Sequence, residues 1–144
     1  MRLTFQPSSD PEAYAFVHRL RVRFAETDAM AVVHHAAYLL YLEAARVEYL
    51  RALGHPYDAI RGEGLDFPVL EIRVSYGKPL RFDELVDVHV MVGDVKGATF
   101  QMGYLLRVDG EARATAVSVH GTMRSDGRPA RTPGWLRDLA RRPG

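Results

Sequence analysis

The pattern of hydrophobic and polar positions predicts one long helix that follows a single strand. Apolar and polar residues alternate from Tyr14 to Phe24, which indicates a strand with one buried face. Seven consecutive apolar residues, Ala36 to Leu42, belong to a helix expected from about His34 to Leu53, and Gly54 follows as a stop signal. Because this apolar run leaves two turns without a polar side, we expect the helix to be buried.

Four more strands are predicted after the helix. A connection at residues 55–66 comes first and contains one helical turn, Tyr57 to Arg61. Hydrophobic and polar residues then alternate in four segments, which are Phe67 to Tyr76, Leu85 to Val95, Ala98 to Val108, and Glu111 to Arg124. The dipeptides Lys96-Gly97 and Asp109-Gly110 are typical of hairpin turns. A last helical turn is predicted at Trp135 to Arg141.

The order of these elements predicts the fold class and the domain organisation. Strands grouped after one helix, without regular alternation, indicate an α+β fold with an antiparallel sheet. We predict one long central helix wrapped by a five-stranded antiparallel sheet, in a single domain at residues 14–144. Residues 1–13, with Pro7 and Pro11, are predicted to form a loose N-terminal leader.

Composition narrows the function classes. The 144 residues include 47% hydrophobic and 26% charged ones, as in an ordinary globular protein. A formal net charge of +1 gives no support for nucleic-acid or membrane partners, and the apolar helical run is too short to span a bilayer. The absence of cysteine excludes disulfides, thiolate catalysis and cysteine-ligated metals.

Two further features concern the source and the location of the protein. No segment near Met1 resembles a signal peptide, so a cytoplasmic location is predicted. Lysine provides only two of the 19 basic residues and asparagine is absent, which a thermophilic or GC-rich source would explain.

Asp28 is the strongest candidate for a chemical role. It precedes the N-terminus of the long helix, where free N–H groups and the helix dipole favour negative charge. A carboxylate there can act as a nucleophile or as a general base, while helix amides stabilise an oxyanion. Aspartate is also a favoured helix cap, but a helix that begins near His34 starts about six residues too late for that role.

Two other groups of residues receive structural interpretations. The adjacent His34 and His35 would point about 100° apart on a helix, and no His-x-x-x-His pattern accompanies them. We therefore predict no metal site. Glu43 and Arg46 stand three residues apart on the helix, and we interpret them as a structural ion pair at the rim of the core.

Several short motifs resemble the signature of one known family. They are Arg23-Phe24-Ala25-Glu26-Thr27-Asp28-Ala29, Val32-Val33-His34-His35, Tyr38-Leu39, Glu43-Ala44-Ala45-Arg46, and Ile72-Arg73-Val74-Ser75-Tyr76-Gly77-Lys78-Pro79-Leu80-Arg81-Phe82-Asp83. The family is that of the hotdog-fold acyl-CoA thioesterases, nearest to the 4-hydroxybenzoyl-CoA and Tol-Pal-associated thioesterase group. The resemblance covers roughly residues 16–135 and agrees with the predicted order of elements. It departs at Met30 and Ala31, where close relatives commonly carry glycine, and this departure bears on substrate choice.

The resemblance implies a reaction and its catalytic residues. The reaction is hydrolysis of an acyl-CoA thioester to the free acid and CoA. Asp28 matches the aspartate that acts on the thioester carbonyl, and His35 matches the position whose backbone N–H binds the carbonyl oxygen. Whether Asp28 acts as nucleophile or as general base stays open. No cofactor is expected, because CoA is part of the substrate.

The resemblance also implies residues that bind the substrate. From their helix positions, His34 and His35 are candidates to orient the substrate or Asp28, with His35 preferred, and Tyr38 is interpreted as core packing with lining of the acyl pocket as the alternative. Lys96, on a predicted hairpin, is the best candidate to meet the CoA phosphates, followed by Arg124 and Arg128.

The expected assembly is at least a homodimer, since the predicted sheet leaves an edge strand to be paired or covered, and by resemblance a homotetramer.

Two alternative functions remain. One is a hotdog-fold dehydratase acting on 3-hydroxyacyl thioesters, which would use a loop histidine with a helix carboxylate. The other is a non-catalytic acyl-CoA-binding domain. Neither nucleic acid nor membrane insertion is expected.

Overall fold

A computed structural model describes residues 3–140 of the chain. Its helices are α1 (Ala37–Ala52), α2 (Tyr57–Gly62) and α3 (Gly134–Arg137), and short 3-10 turns lie at Pro11–Ala13 and Phe24–Glu26. The long helix begins three residues later than predicted. The reason is that the backbone oxygen and the ring Nδ1 of His34 both accept the N–H of Ala37. The predicted last turn is present in α3, and its predicted end at Arg141 lies outside the described residues.

Five strands form the main sheet, and all of them pair antiparallel. They are β1 (Phe16–Arg21), β3 (Val69–Tyr76), β4 (Leu85–Lys96), β5 (Thr99–Val108) and β6 (Glu111–Gly121). Their spatial order is β1-β4-β5-β6-β3, so β1 and β3 are the two edges. The prediction of an α+β fold with a five-stranded antiparallel sheet is confirmed.

The last predicted strand is divided at Thr122. The N–H of Thr122 donates to the backbone oxygen of Ala98, and its hydroxyl bonds with that of Thr132. The chain therefore leaves the main sheet, and β7 (Met123–Arg124) pairs with β2 (Leu65–Asp66) in a separate two-stranded sheet.

The core lies between α1 and the inner face of the main sheet. Its fully buried residues come from the helix and from the three central strands, and include Ala37, Leu42, Ala45, Leu50, Val86, Val88, Val90, Phe100, Met102 and Leu106. The helix was predicted to be buried on all sides, but Leu39 and Leu40 are exposed because the sheet of one chain covers only one side of α1. Their exposed fractions are 41% and 55%. None of the helices within residues 3–140 is long and apolar enough to cross a membrane.

Part of the predicted leader packs on the outer face of the sheet, because Phe5 is buried there. The Phe5 ring lies over Gly93 and Gly103, and a Cβ atom at Gly93 would stand 2.7 Å from ring carbons. A Cβ atom at Gly103 would come closer still to the same ring. The Phe5 N–H donates to Oε1 of Gln101 at 3.1 Å. The two glycines leave room for the ring, a long-range fit that the polar composition of the leader does not reveal.

Candidate active site

The loop between β1 and α1 carries Asp28, and Glu26 fixes this loop to the helix. The Glu26 carboxylate is buried and accepts two hydrogen bonds from Arg23, through its backbone N–H and its Nε, at 2.8 Å each. It accepts a third at 2.7 Å from the hydroxyl of Tyr41 on α1. Burial by itself raises the pKa of Glu26, but these hydrogen bonds outweigh it and hold the pKa below its usual value.

Glu26 was not predicted as a site residue. The available signal was local, since Arg23 and Glu26 stand three residues apart at the start of a short helical turn and satisfy each other as a capping box does. The contact with Tyr41 has no local signal, because fifteen residues separate the two side chains.

Asp28 lies exposed in a tight turn. Its backbone N–H donates to the oxygen of Val32 at 2.9 Å, and its Oδ1 accepts the N–H of Met30 at 2.8 Å. Oδ2 accepts no hydrogen bond from the part of the chain that the structure describes. The carboxylate is therefore held through one oxygen, in the manner of an Asx turn, and presents the other to solvent. Asp28 does not cap α1, which begins at Ala37.

The two positions that depart from the family pattern complete this turn. Ala31 has a φ angle of +61°, in the left-handed region that favours glycine. The Met30 side chain is 78% exposed and stands beside Asp28 in the chain. The turn thus keeps a backbone conformation suited to glycine, with two added side chains on its outer surface.

The residues just before α1 provide a structural histidine and a free backbone amide. His34 donates its N–H to the oxygen of Glu26 at 3.0 Å, and its Nδ1 accepts the N–H of Ala37 at 3.2 Å. His34 therefore accepts the N–H of the first residue of α1, and its Nδ1 is occupied by the backbone. The N–H of His35 donates to no group within residues 3–140. Such a free N–H near a helix N-terminus can stabilise an oxyanion.

Tyr76, at the end of β3, covers this site from the sheet side, and the sequence analysis did not anticipate it. Its ring contacts those of His35 and Tyr38, with centroids 4.7 and 4.8 Å apart. Its hydroxyl donates to the backbone oxygen of His35 at 3.3 Å. Tyr76 is half exposed, whereas Tyr38 is only 3% exposed. Tyr38 therefore packs in the core beneath Tyr76. In this chain its ring is covered by Tyr76, so the structure favours the core-packing interpretation of Tyr38.

Lys96 lies far from Asp28 in the same chain. Lys96 pairs with Thr99 at one end of the sheet, the end at which β3 begins with Val69. The Asp28 loop is at the other end, where β3 finishes with Tyr76. Since β4 has twelve residues, the two ends are separated by roughly 35 Å. One chain therefore does not bring Lys96 to the Asp28 site.

Arg124 and Arg128 lie at the same end of the sheet as Lys96. The N–H of Arg124 donates to the oxygen of Arg128 at 2.8 Å, and both residues are exposed. Arg128 pairs with Asp126 at 3.9 Å, whereas Lys96 and Arg124 form no ion pair within residues 3–140. The three cations predicted to meet CoA phosphates thus share one end of the molecule.

The predicted ion pair of α1 is present but asymmetric. The Arg46 and Glu43 side chains approach to 4.0 Å, with Arg46 buried and Glu43 largely exposed. Arg46 makes its closer contact with Tyr104, whose hydroxyl accepts from Nη1 at 3.1 Å. Over the described range, residues 3–140, no three histidine or acidic side chains stand close enough to hold a metal ion.

A long helix packed on a five-stranded antiparallel sheet is the architecture of the hotdog thioester hydrolases, and this chain is one of them. It belongs to the thioesterase-like superfamily, whose family model matches residues 22–139. The matched segment contains the Asp28 loop, all of α1 and every strand after it.

Individual proteins agree with this assignment. The chain is 39% identical to a putative esterase of Aquifex aeolicus over 105 residues, which make up 73% of this chain and 82% of that protein. It is 37% identical to YneP of Bacillus subtilis, named a putative acyl-CoA thioesterase, over 70% of this chain and 74% of that one.

Solved structures agree as well. The crystal structure of a hypothetical protein of Aquifex aeolicus superimposes with a TM-score of 0.82 at 34% identity, covering 87% of this chain and 98% of that one. A thioesterase of Thermus thermophilus, crystallised with coenzyme A and Zn, gives a TM-score of 0.76 at 26% identity over 89% of this chain and 92% of its own.

Proposed function

We propose that this protein hydrolyses acyl-CoA thioesters, with Asp28 acting on the carbonyl carbon and the N–H of His35 binding the carbonyl oxygen. The observation that carries the proposal is a carboxylate with one free oxygen in the loop ahead of a free N–H at the start of α1. CoA as the thiol is supported by the acyl-CoA thioesterase name of the Bacillus relative and by the CoA held in the Thermus structure.

The reaction breaks the carbon–sulfur bond and places an oxygen from water on the acyl group. In one route the Asp28 carboxylate attacks the carbonyl carbon, and water then hydrolyses the mixed anhydride. In the other route Asp28 takes a proton from the attacking water. In both routes the His35 N–H and the positive end of α1 stabilise charge on the carbonyl oxygen, and the CoA sulfur leaves and gains a proton.

Asp28→Asn tests the proposal, because asparagine keeps the oxygen that accepts the N–H of Met30. The loop should persist, whereas the nucleophile or base is lost. We expect kcat to fall by about a hundredfold to ten-thousandfold, the range for loss of such a group. The matched control is Asp10→Asn, an exposed aspartate near the N-terminus whose Oδ1 also accepts a backbone N–H, and it should leave hydrolysis unchanged.

Three results would contradict the proposal. Full hydrolysis by a folded Asp28→Asn variant would remove Asp28 from the chemistry. Tight binding of many CoA esters by the unaltered protein without turnover would favour an acyl-CoA-binding domain. Dehydration of a 3-hydroxyacyl thioester would favour the dehydratase. Circular dichroism of the variant establishes that the fold is intact before the rates are compared.

We further propose that two copies share each site through β3. This edge strand carries the exposed apolar residues Val69, Leu70 and Tyr76, and an unpaired edge is a template for another strand. Full antiparallel pairing of two β3 strands would set Val69 of one copy beside Tyr76 of the other. Lys96 of one copy would then approach the Asp28 loop of the other and could meet CoA phosphates there. The homotetramer and the cytoplasmic location stay predictions from the sequence.

A further inference from the structure

A second cleft lies at the other end of α1 from the Asp28 loop. It is about 600 Å³ in volume, within the range of small-molecule sites. Its walls come from the second half of α1, from α2, and from the chain leading into β3, and they include Arg46, Tyr57, Arg61 and Val69. Neither the proposed hydrolysis nor its catalytic residues make use of this cleft.

Arg46 is a buried cation in the wall of this cleft, and it lacks a hydrogen-bonded carboxylate. The residue is 4% exposed, and its Nε has no hydrogen-bond partner within residues 3–140. The nearest acidic group is the Glu43 carboxylate at 4.0 Å, beyond hydrogen-bond distance, on a side chain that is 65% exposed. A buried guanidinium is costly unless a carboxylate or other anion pairs with it.

A chain of buried hydrogen bonds holds the Arg46 guanidinium in place. Arg46 Nη1 donates to Tyr104, the Tyr104 hydroxyl bonds with Ser118 at 2.6 Å, and Ser118 bonds with Nε2 of His120 at 2.7 Å. Burial, together with the charge of Arg46, lowers the pKa of His120 to about 3, so the imidazole is neutral near pH 7. These partners are all uncharged, and they orient the cation without neutralising it.

The other two arginines of the cleft each have a carboxylate partner. Arg61 pairs with Asp66 at 3.6 Å, and Arg51 pairs with Glu48 at 3.2 Å. Asp58, the remaining acidic residue of the lining, lies exposed in the first turn of α2. The cleft therefore has one buried cation, Arg46, whose nearest carboxylate, that of Glu43, lies beyond hydrogen-bond distance.

We propose that the Arg46 cleft binds a carboxylate at the distal end of the substrate's acyl group. A guanidinium matches the two oxygens of a carboxylate, and Arg46 lines the cleft without a hydrogen-bonded carboxylate of its own. This inference rests on the proposed function and on pairing through β3. That pairing sets the Val69 end of one copy, and its cleft, beside the Tyr76 end of the other, where the thioester carbonyl is held. The preferred substrates are then CoA monothioesters of dicarboxylic acids.

The test compares acyl-CoAs of equal chain length that end in a carboxylate or in a methyl group. Glutaryl-, adipyl- and suberyl-CoA are matched with valeryl-, hexanoyl- and octanoyl-CoA. We expect at least one carboxylated member to have a kcat/KM about tenfold or more above its methyl partner, as one charge-assisted hydrogen bond predicts. The Arg46→Gln variant should lose this preference while it still hydrolyses the methyl-terminated esters.

A second variant keeps the proposal testable if Arg46→Gln fails to fold. Glu43→Gln removes the only acidic group close to Arg46 within residues 3–140 and leaves the buried hydrogen bonds intact. It should lower the KM for the carboxylated ester several-fold, and Glu12→Gln, an exposed position outside the cleft, should not. Calorimetric titration with glutarate measures the affinity of the cleft for a carboxylate without turnover. Glu43→Gln should increase that affinity.

The outcomes separate this inference from the proposed function. Hydrolysis of every ester without preference for a carboxylate, and with glutarate unbound, overturns the cleft and leaves the thioesterase proposal standing. Failure to hydrolyse any ester contradicts the proposed function. In that case, glutarate binding still supports a carboxylate site if Arg46→Gln abolishes the binding or Glu43→Gln tightens it. If glutarate does not bind at all, the carboxylate site is overturned.

Discussion

The hydroxyl of Tyr41 donates a 2.7 Å hydrogen bond to Oε1 of Glu26, and this contact joins the central helix to the loop that carries Asp28. Glu26 also receives two hydrogen bonds from Arg23, so three donors surround one buried carboxylate. The backbone oxygen of Glu26 in turn accepts the N–H of His34 at the start of the helix. The relative positions of the Asp28 loop and the helix therefore depend on the buried Glu26 carboxylate.

Tyr41→Phe removes one donor from this carboxylate. We expect a loss of about 1.5–3 kcal/mol in the free energy of unfolding, as for a hydrogen bond to a charged group, and a several-fold fall in kcat. Tyr49→Phe is the matched control, because Tyr49 is equally buried on the same helix and its hydroxyl makes no hydrogen bond within residues 3–140. Urea unfolding and hydrolysis rates measure both variants. Equal losses in the two would contradict a special role for the Tyr41 hydroxyl.

Glu26→Gln should destabilise the protein near neutral pH and much less in acid. The folded pKa of Glu26 lies below the unfolded value of about 4.3. Its stabilisation is therefore complete above the unfolded pKa and is lost as the pH falls through the folded pKa. Unfolding free energies at about pH 7 and about pH 3 should show the difference between variant and parent shrinking. The exposed Glu63→Gln is the control, and a difference that does not vary with pH would rule out this account.

The leader should couple energetically to the sheet through Phe5 and Gly103. A methyl group at Gly103 would collide with the Phe5 ring, so Gly103→Ala should cost about 1–3 kcal/mol. In a Phe5→Ala background the ring is gone, and the same substitution should cost little. A double-mutant cycle of unfolding free energies measures the coupling. Strictly additive costs would show that the leader does not pack on the sheet in solution.

Mixing of two inactive variants tests whether Lys96 serves the site of the other copy. Dimers of Asp28→Asn and of Lys96→Glu are exchanged until hybrids form, and kcat/KM is measured at low substrate concentration. A hybrid has one site with both defects and one intact site, so a statistical mixture should recover about one quarter of parental activity. If both residues served one chain's site, every site in the mixture would carry a defect and activity would stay low. Arg107→Glu controls for a change of charge alone. Arg107 lies near the end of β5, whereas Lys96 pairs with Thr99 at its start.

The helices and strands could be predicted from the sequence because they depend on local patterns. The alternation at residues 14–24 and after residue 67, and the apolar run around Leu42, predict the strands, the helix and their order. The helix start was misplaced by three residues, since the N-cap is Ala36, which is not one of the usual capping residues and has no capping side chain. Asp28 could be singled out for the same local reason, as an acid placed before a helix.

Tertiary structure alone decided what lies near that acid. Glu26 meets Tyr41 across fifteen residues, and Tyr76 reaches His35 across forty-one. The separation of Lys96 from Asp28 follows from strand register, which periodicity does not encode. The sequence by itself determined the elements and the candidate carboxylate, because these depend on neighbouring residues. Only the folded chain decided the leader's position, the burial of Arg46 and the partners of the site, because these are contacts between residues far apart in the chain.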